Sequence, residues 1–370
     1  MNRCATILAV SVFAATARAG LDVSLAPSIR NAAKGTELVF TGSLTNNSAT
    51  GKLFLNDISA ALSGAAAAQL TLGSPAFYSN VPGILLPGET YTGVLFRIAL
   101  SSTAPAGDYA GSIVLKGGSG IMADDTLNSS TFTVLSPEVS IVATDADAGE
   151  FGPDTGTVTV SRTGGTDISL PVNWAIGGNA VNGTAYQAVP GGLTIPTGAS
   201  SATVTITPIP NNTAEGDRSV FLTLAASGIY NTAAPAAATV TIHDKPADAW
   251  RLLHFGPAAN DPAAADAADW DFDGLTNLLE YSLALDPASP SSVSPPAPPA
   301  GSLVLTYVPN PAAPDVNYFV ESSTDLTAWS SSHVVSIAPP PGSPPGALSF
   351  RAAPPPGGDV RVFLRLRVER

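Results

Sequence analysis

The chain of 370 residues is acidic, with 29 Asp and Glu against 16 Lys and Arg and a formal charge of −13. That balance excludes a nucleic-acid or anionic-lipid partner held by a basic surface. One cysteine, 34 glycines and 33 prolines, with abundant Val, Thr, Ser and Ala, point to many short strands and turns and exclude long helices and a disulfide framework.

Residues 1–19, MNRCATILAVSVFAATARA, place Arg3 before an apolar run from Ala5 to Ala15, and small residues at Ala17 and Ala19. This is the layout of a secretory signal peptide cut before Gly20. The apolar run is too short to span a bilayer, and Cys4 sits too near the start to follow an apolar stretch as a lipid-anchored cysteine does. Cleavage takes Cys4, Arg3 and Arg18 with it, leaving 14 basic against 29 acidic side chains, a charge of −15. The expected mature chain is secreted or at the cell surface, has no cysteine and no transmembrane segment, and relies on core burial or metal for stability. Acidic clusters on such a chain suit calcium, a hard cation that prefers oxygen donors.

From 20 to 136 the sequence predicts strands at ELVFTGSLTN (37–46), TYTGVLFRIAL (90–100), DYAGSIVL (108–115) and STFTVL (130–135), with turns at LPGET and APAGDY. In the second, strict alternation places Tyr91, Gly93, Leu95 and Arg97 on one face and Val94, Phe96 and Ile98 on the other. Several short strands over this length predict an immunoglobulin-like sandwich. The segment resembles Ig-like modules of bacterial surface proteins, notably in LPGETYTG and APAGDYAGSI, and such modules space or bind.

Residues 137–245 predict a second sandwich. VSIVATDADAGEFG (139–152), GTVTVSRTGG (156–165), LPVNWAIGG (170–178), VNGTAYQAV (181–189), ATVTITPIP (202–210), EGDRSVFLTL (215–224) and ATVTIHD (238–244) follow one another, with period-two pairs at Val158/Val160, Val204/Ile206 and Val240/Ile242. Taken in order, the acidic segment before the first hairpin, NGTAY, ITPIP, EGDRSVFLTL and TVTIHD resemble a Calx-beta domain. Calcium-binding members of that family gather carboxylates at one end of the sandwich. By that resemblance Glu150, Glu215 and Asp244 match, whereas Ala185, Asn211, Asn212, Arg218 and Lys245 stand where acids or neutral residues would serve an ion. Two lost carboxylates and two introduced cations leave either a module that holds one ion poorly or, as the favoured expectation, a calcium-free sandwich.

Residues 246–287 are helix-compatible and rich in Ala and Asp. Within them DWDFDGLTNLLE (269–280) sets Asp269, Asp271 and Asp273 at positions 1, 3 and 5 of a twelve-residue loop, Gly274 at 6, Asn277 at 9 and Glu280 at 12, the EF-hand spacing without a substitution. Alternating acids in a tight loop turn their oxygens inward, and a positive φ at Gly274 lets the chain reverse. The predicted ligands for Ca²⁺ are Asp269, Asp271, Asp273, the Leu275 carbonyl, Asn277 directly or through water, and Glu280 with both oxygens; the alternative is an acidic turn held in water. Leu275, Leu278, Leu279 and Leu283 predict an outgoing helix, while residues 261–268 are too short and too poor in large apolar residues for an incoming one. That asymmetry resembles a dockerin-type or thrombospondin-type-3 calcium loop. A dockerin needs two such loops for its cohesin partner, and DADAGE (145–150) departs from the pattern at Gly149 and Glu150. Affinity of roughly 10⁻⁴–10⁻³ M is expected of extracellular sites of this kind, giving about 1.4 kcal/mol of stabilisation at ten times the dissociation constant.

ASPSSVSPPAPPAGS (288–302) reads as an extended linker. The remainder, 303–370, returns to strands at LVLTYV (303–308), NYFVESSTDLTAW (317–329), VVSI (334–337), ALSFR (347–351) and DVRVFLRLRVER (359–370), a small β domain marginal on its own. In the last strand Val360, Val362, Leu364, Leu366 and Val368 form an apolar face opposite Arg361, Phe363, Arg365 and Arg367. FVESSTDLTAW resembles C-terminal segments of large exported bacterial proteins. No HExxH, GxSxG or phosphate-binding glycine loop accompanies His243, His254 and His333, and Trp174, Trp250, Trp270 and Trp329 are single aromatics that suit packing as well as sugar stacking. The expected fold is mainly β: tandem antiparallel sandwiches, a short calcium-loop helix and a small C-terminal β domain. The expected function is non-catalytic, in adhesion, scaffolding or cell communication, toward a protein or glycan at the cell surface. The alternative is a glycan-binding accessory protein of a secreted polysaccharide-processing system.

Overall fold

The computed structural model describes residues 20–152, 154–291, 303–353 and 361–370. The expected signal peptide, residues 292–302 of the expected linker and residues 359–360 of the expected last strand lie outside the described residues. The chain is mainly β, with sandwiches in tandem and short helices.

Alternation in the sequence becomes a pair of facing sheets twice over. In the first sandwich a four-stranded sheet runs in the order Leu21–Leu25, Glu37–Asn46, Thr90–Leu100, Leu70–Gly73. It packs on a five-stranded sheet of Ile29–Asn31, Asp125–Ser136, Gly107–Gly118, Leu53–Leu62 and Ile84–Leu85. One apolar cluster drawn from both sheets fills the space between them. At its centre Phe40 stacks on Phe96 with centroids 4.9 Å apart and meets Phe132 at 5.3 Å.

The second sandwich sets Ser201–Ile206, Gly156–Thr163, Glu138–Asp145 and Asn231–Thr232 against Asp147–Gly149, Ala237–His243, Arg218–Leu224, Leu170–Gly177 and Gly192–Ile195. Val158, Val160, Ile206, Val240 and Ile242 are buried in its core, and Val204 packs partly buried against it, so the period-two reading follows the pleat. Polar contacts join the two sandwiches: Lys34 N donates to Asn231 Oδ1 (3.0 Å), Asn31 Nδ2 to Ser169 O (3.2 Å) and Gly165 N to Asp108 Oδ1 (2.7 Å). The C-terminal strands form two small sheets, Val304–Tyr307, Leu348–Ala352, Val334–Ile337 and, separately, Asn317–Ser323 with Phe363–Glu369.

Four details differ from expectation, each for a local reason. The strand 90–100 does not alternate strictly: Phe40 pairs with Phe96 and Thr41 with Val94, so Leu95 is an extra residue in a bulge, and Leu95 and Phe96 are both buried. Residues 181–189 form a turn with isolated bridges Asn182–Tyr186 and Tyr186–Pro208, because Asn182 holds its own loop through Val189 N and O. In Phe363–Glu369 no residue is fully buried, since Arg365 lies over the Trp329 ring and Arg367 over Phe319 while both reach Glu321. The short helices Gly64–Gln69 and Pro75–Asn80 and the strand Leu53–Leu62 carry too little periodicity to announce themselves.

Phe40→Ala should cost the first sandwich about 3–5 kcal/mol through lost burial and the cavity left behind, read as an earlier urea transition by far-ultraviolet circular dichroism. A loss below about 1 kcal/mol would mean that this aromatic trio is not the centre of the core.

Candidate metal centre

The loop is positioned by what stands on either side of it. Helix Pro246–Phe255 leaves the last strand of the second sandwich with Pro246 in its first turn and ends at Gly256, whose φ is +52°. Only a 3₁₀ turn, Pro262–Ala264, precedes the loop, so no incoming helix is present there. Helix Asn277–Leu283 leaves it, with the Thr276 hydroxyl accepting from Leu279 N as its cap (3.4 Å) and Ala284 closing it in the left-handed conformation.

The three aspartates act first on their own backbone. Asp269 accepts from Phe272 N (2.7 Å), Asp273 N (3.2 Å) and Gly274 N (2.8 Å). Asp271 Oδ1 accepts from Asp273 N (3.2 Å), and Asp273 accepts from Leu275 N (2.7 Å) and Ser291 N (2.5 Å). Gly274 has φ +96°, as the reversal requires, and Phe272 a φ of +63° that the sequence did not announce. Phe272 is 89% exposed at the tip. One oxygen from each of Asp269, Asp271 and Asp273 lies within 4.8 Å of the others.

These contacts leave a set of oxygens unused. Glu280 is 0% exposed, and neither of its carboxylate oxygens has a hydrogen-bond partner among the described residues. Asp271 Oδ2 and Asn277 Oδ1 are likewise buried and unpartnered. Asn277 spends its amide on Ala263 O and Ala265 O, both 2.9 Å, which leaves only an acceptor. Burial, then the charges of Asp271, Asp273 and Asp269, push the Glu280 carboxyl up to about 7; burial first and the neighbouring acids after it raise Asp271. Buried acceptors without donors are costly, and a cation removes that cost for all of them together. The donor set is all oxygen, the chemistry of a hard divalent ion. Of the predicted ligands, Asp269, Asp271 and Asp273 form the tight group, Glu280 and Asn277 supply unpartnered oxygens carried on the helix, and Leu275 stands at the loop's exit with its amide held by Asp273.

The acidic end of the second sandwich is arranged differently. Arg218 reaches Glu150 with one terminal nitrogen and Glu215 with the other, both at 2.8 Å. Asn211 adds backbone and side-chain donors to Glu150 at 3.0–3.1 Å. Asp244 accepts from Glu215 N and Gly216 N at 2.9 Å, and Lys245 Nζ donates to Asn212 Oδ1 at 2.8 Å. A guanidinium therefore occupies the charge position between these acids. His243 bridges Asp147 (3.0 Å) and Asp217 (3.1 Å) and is raised chiefly by the Asp147 hydrogen bond. His254 faces Asp286 at 3.7 Å, and His333 meets the Ser332 hydroxyl at 3.0 Å. All four tryptophans are buried or half-buried; Trp250 packs on Phe255, His254 and Tyr281, and Trp270 on Phe255.

No family model matches the chain, and no curated protein matches it. Among solved structures, a part of the chain is similar to CBD12 from CALX1.2, with 22% identity over 29% of this chain and 45% of that one and a TM-score of 0.26. It is similar at the same identity and TM-score to the apo-form Calx CBD1 domain, over 96% of that chain. The D00-D0 domain of intimin is similar over 60% of this chain at 14% identity and a TM-score of 0.23. No helix among the described residues is long and apolar enough to cross a membrane.

Two outcomes follow from this geometry. Arg218→Met, which strips Glu150 of its cation inside the fold, should cost about 3–5 kcal/mol, and adding Glu150→Gln should recover much of it; a neutral single variant in thermal denaturation would contradict the bridge. Without metal, the raised Glu280 carboxyl favours the protonated fold. Its stability contribution is present below about pH 4.5 and is lost as pH rises through about 7, a span worth roughly 3 kcal/mol at most. Thermal midpoints in chelator at pH 5 and pH 8 check the sign, and a chelated protein more stable at the higher pH would oppose it.

Proposed function

We propose that the 269–280 loop binds one calcium ion and that the ion's work is structural, within an exported, non-catalytic surface module of tandem sandwiches. The observation that carries this reading is Glu280, a carboxylate fully buried with neither oxygen partnered among the described residues and raised by burial and by the charges of three aspartates. A solvated acidic turn would leave its charges in water, and Glu280 is not in water.

The ion would be held by Asp269, Asp271 and Asp273 with Asn277, Glu280 and the Leu275 carbonyl. Glu280 is followed by Tyr281, whose hydroxyl donates to Asp315 (2.6 Å), and by Ser282, whose carbonyl accepts from the Tyr318 hydroxyl (2.6 Å). Neutralising Glu280 thus secures the helix on which the C-terminal strands rest. The domain reading (20–136 Ig-like, 137–245 Calx-beta, 246–287 calcium segment, 288–302 linker, 303–370 small β unit) belongs to this proposal, as do export behind residues 1–19 and a protein or glycan partner at the cell surface. For the glycan-binding alternative, Trp174 is buried and Trp250, Trp270 and Trp329 are half-buried, with Arg365 lying over the Trp329 ring.

Glu280→Gln separates the reading from a bland acidic turn. In chelator at pH 8 this variant should be more stable than the parent, because it buries no charge. With millimolar calcium the parent should gain about 1–2 kcal/mol, and both Glu280→Gln and Asp271→Ala should gain little. Calorimetric titration should count one ion per chain. A calcium response retained in both variants would place the ion elsewhere.

A further inference from the structure

Residues 168–214 contain no acidic or basic side chain, in a chain that carries 29 acidic and 16 basic ones. Both sheets of the second sandwich end in strands drawn from that run, Gly192–Ile195 in one and Ser201–Ile206 in the other. We propose that the edge Ser201–Ile206 pairs with the same edge of a second copy of this chain, joining two four-stranded sheets across a twofold axis.

The ladder fixes which backbone groups are available for that pairing. Ser201–Ile206 runs antiparallel to Gly156–Thr163 without a bulge, with Thr203 opposite Thr159. Arg162 N donates to Ser200 O at 2.8 Å. The even-numbered residues therefore spend their N–H and C=O groups on the neighbouring strand, and the odd-numbered ones point away from it. Gln187 N donates to Thr207 O (2.8 Å) and Ile209 N to Ala185 O (3.0 Å), which closes the outward side from Thr207 onward. Ser201, Thr203 and Thr205 remain. All three are exposed, and their outward backbone groups meet no backbone partner among the described residues. Edge strands are commonly guarded by a lysine, a proline or a bulge; Ser201–Ile206 has none of the three.

Two features select a second copy over a foreign strand. Centring the pair on Thr203, the midpoint of the open stretch, sets Ser201 opposite Thr205 and Thr203 opposite itself. Each of these residues then exchanges both backbone bonds with its opposite number, and every side-chain pair on the outer face is Ser–Thr or Thr–Thr, pairings that stabilise adjacent strands. A foreign peptide is selected through pockets for its alternate side chains, and three small exposed hydroxyl residues build none. Charge is the second feature. Copies of a chain with a formal charge of −13 repel one another where their acids meet. This edge is neutral, as are Thr157, Thr159 and Ser161 on the strand beside it, and interface centres are depleted in charge. The contact is isologous, so it closes at two copies. It uses none of the residues assigned to the ion and does not depend on calcium.

The test is sedimentation equilibrium of the full chain in chelator and reductant. The parent should be dimeric at high micromolar concentration. Thr203→Lys sets like charges face to face across the axis and should weaken the dimer at least about tenfold, a difference of about 1.4 kcal/mol. Thr203→Asp should do the same, and the thermal midpoint of the dissociated chains should not move. Mixing the two variants should restore association as a heterodimer, which neither a misfolded variant nor an interface elsewhere would show. A parent still monomeric at about 1 mM, a dimer unmoved by both single variants, or a mixture that stays monomeric would each overturn the proposal.

Discussion

The junction of this molecule rests on one carboxylate that the fold has taken out of water and given no donor. Glu280 sits in a seven-residue helix, far below the length at which a helix holds itself in water. The helix persists because its neighbours pack it: Tyr281 against Trp250 on one side, with Ala313 and Val316 on the other. Packing that fixes the helix also fixes Glu280 in place, so the carboxylate cannot swing out to find water. The fold has therefore traded solvation for position. Only a charge brought to the loop balances that trade without undoing the packing.

The same electrostatic problem occurs a second time, and the chain meets it by another means. Glu150 is as deeply buried as a core residue, yet Arg218 and Asn211 meet its oxygens. A guanidinium is covalently present at all times and has a fixed fork of donors, so that end of the sandwich is complete at any ion concentration. The 269–280 loop has no such built-in partner, since neither Glu280 oxygen meets a donor among the described residues. The two acidic sites thus differ in kind: one is a permanent internal ion pair, the other a set of buried oxygens without a partner among the described residues.

Much of the fold was legible because strands such as Gly156–Thr163 alternate cleanly and because turn residues mark the ends of others. Glu37–Asn46 and Thr90–Leu100 begin and end where the pattern does. The failures mark where local pattern gives way to neighbours. The Leu95 bulge is set by pairing with the adjacent strand, which a single strand's sequence does not encode. The pattern set the arginines of Phe363–Glu369 opposite an apolar face, and it could not show that they lie across the rings of Trp329 and Phe319, a contact between residues distant in sequence. In the loop, spacing alone picked out the acids, because a twelve-residue pattern is a local device. It could not show that Glu280 would be buried without donors, since that depends on Trp250, Tyr281 and the C-terminal strands.

The C-terminal strands explain why a junction of this kind matters. Their own buried apolar residues are few, mainly Tyr307, Ala313, Val316, Val320 and Ala347, and the strand Phe363–Glu369 contributes none. So small a core offsets little of the entropy of ordering these strands. It borrows stability across the joint, through Tyr318 to Ser282, Asn310 to Tyr281 and Arg370 to Asp248 and Asp266. These contacts are polar and directional, so they reward one arrangement of the two parts and penalise displacement from it. An apolar joint would tolerate sliding. The joint is also packed: Leu278, inside the 269–280 segment, shares one apolar cluster with Tyr281 and with Tyr318 and Val368 of the C-terminal strands.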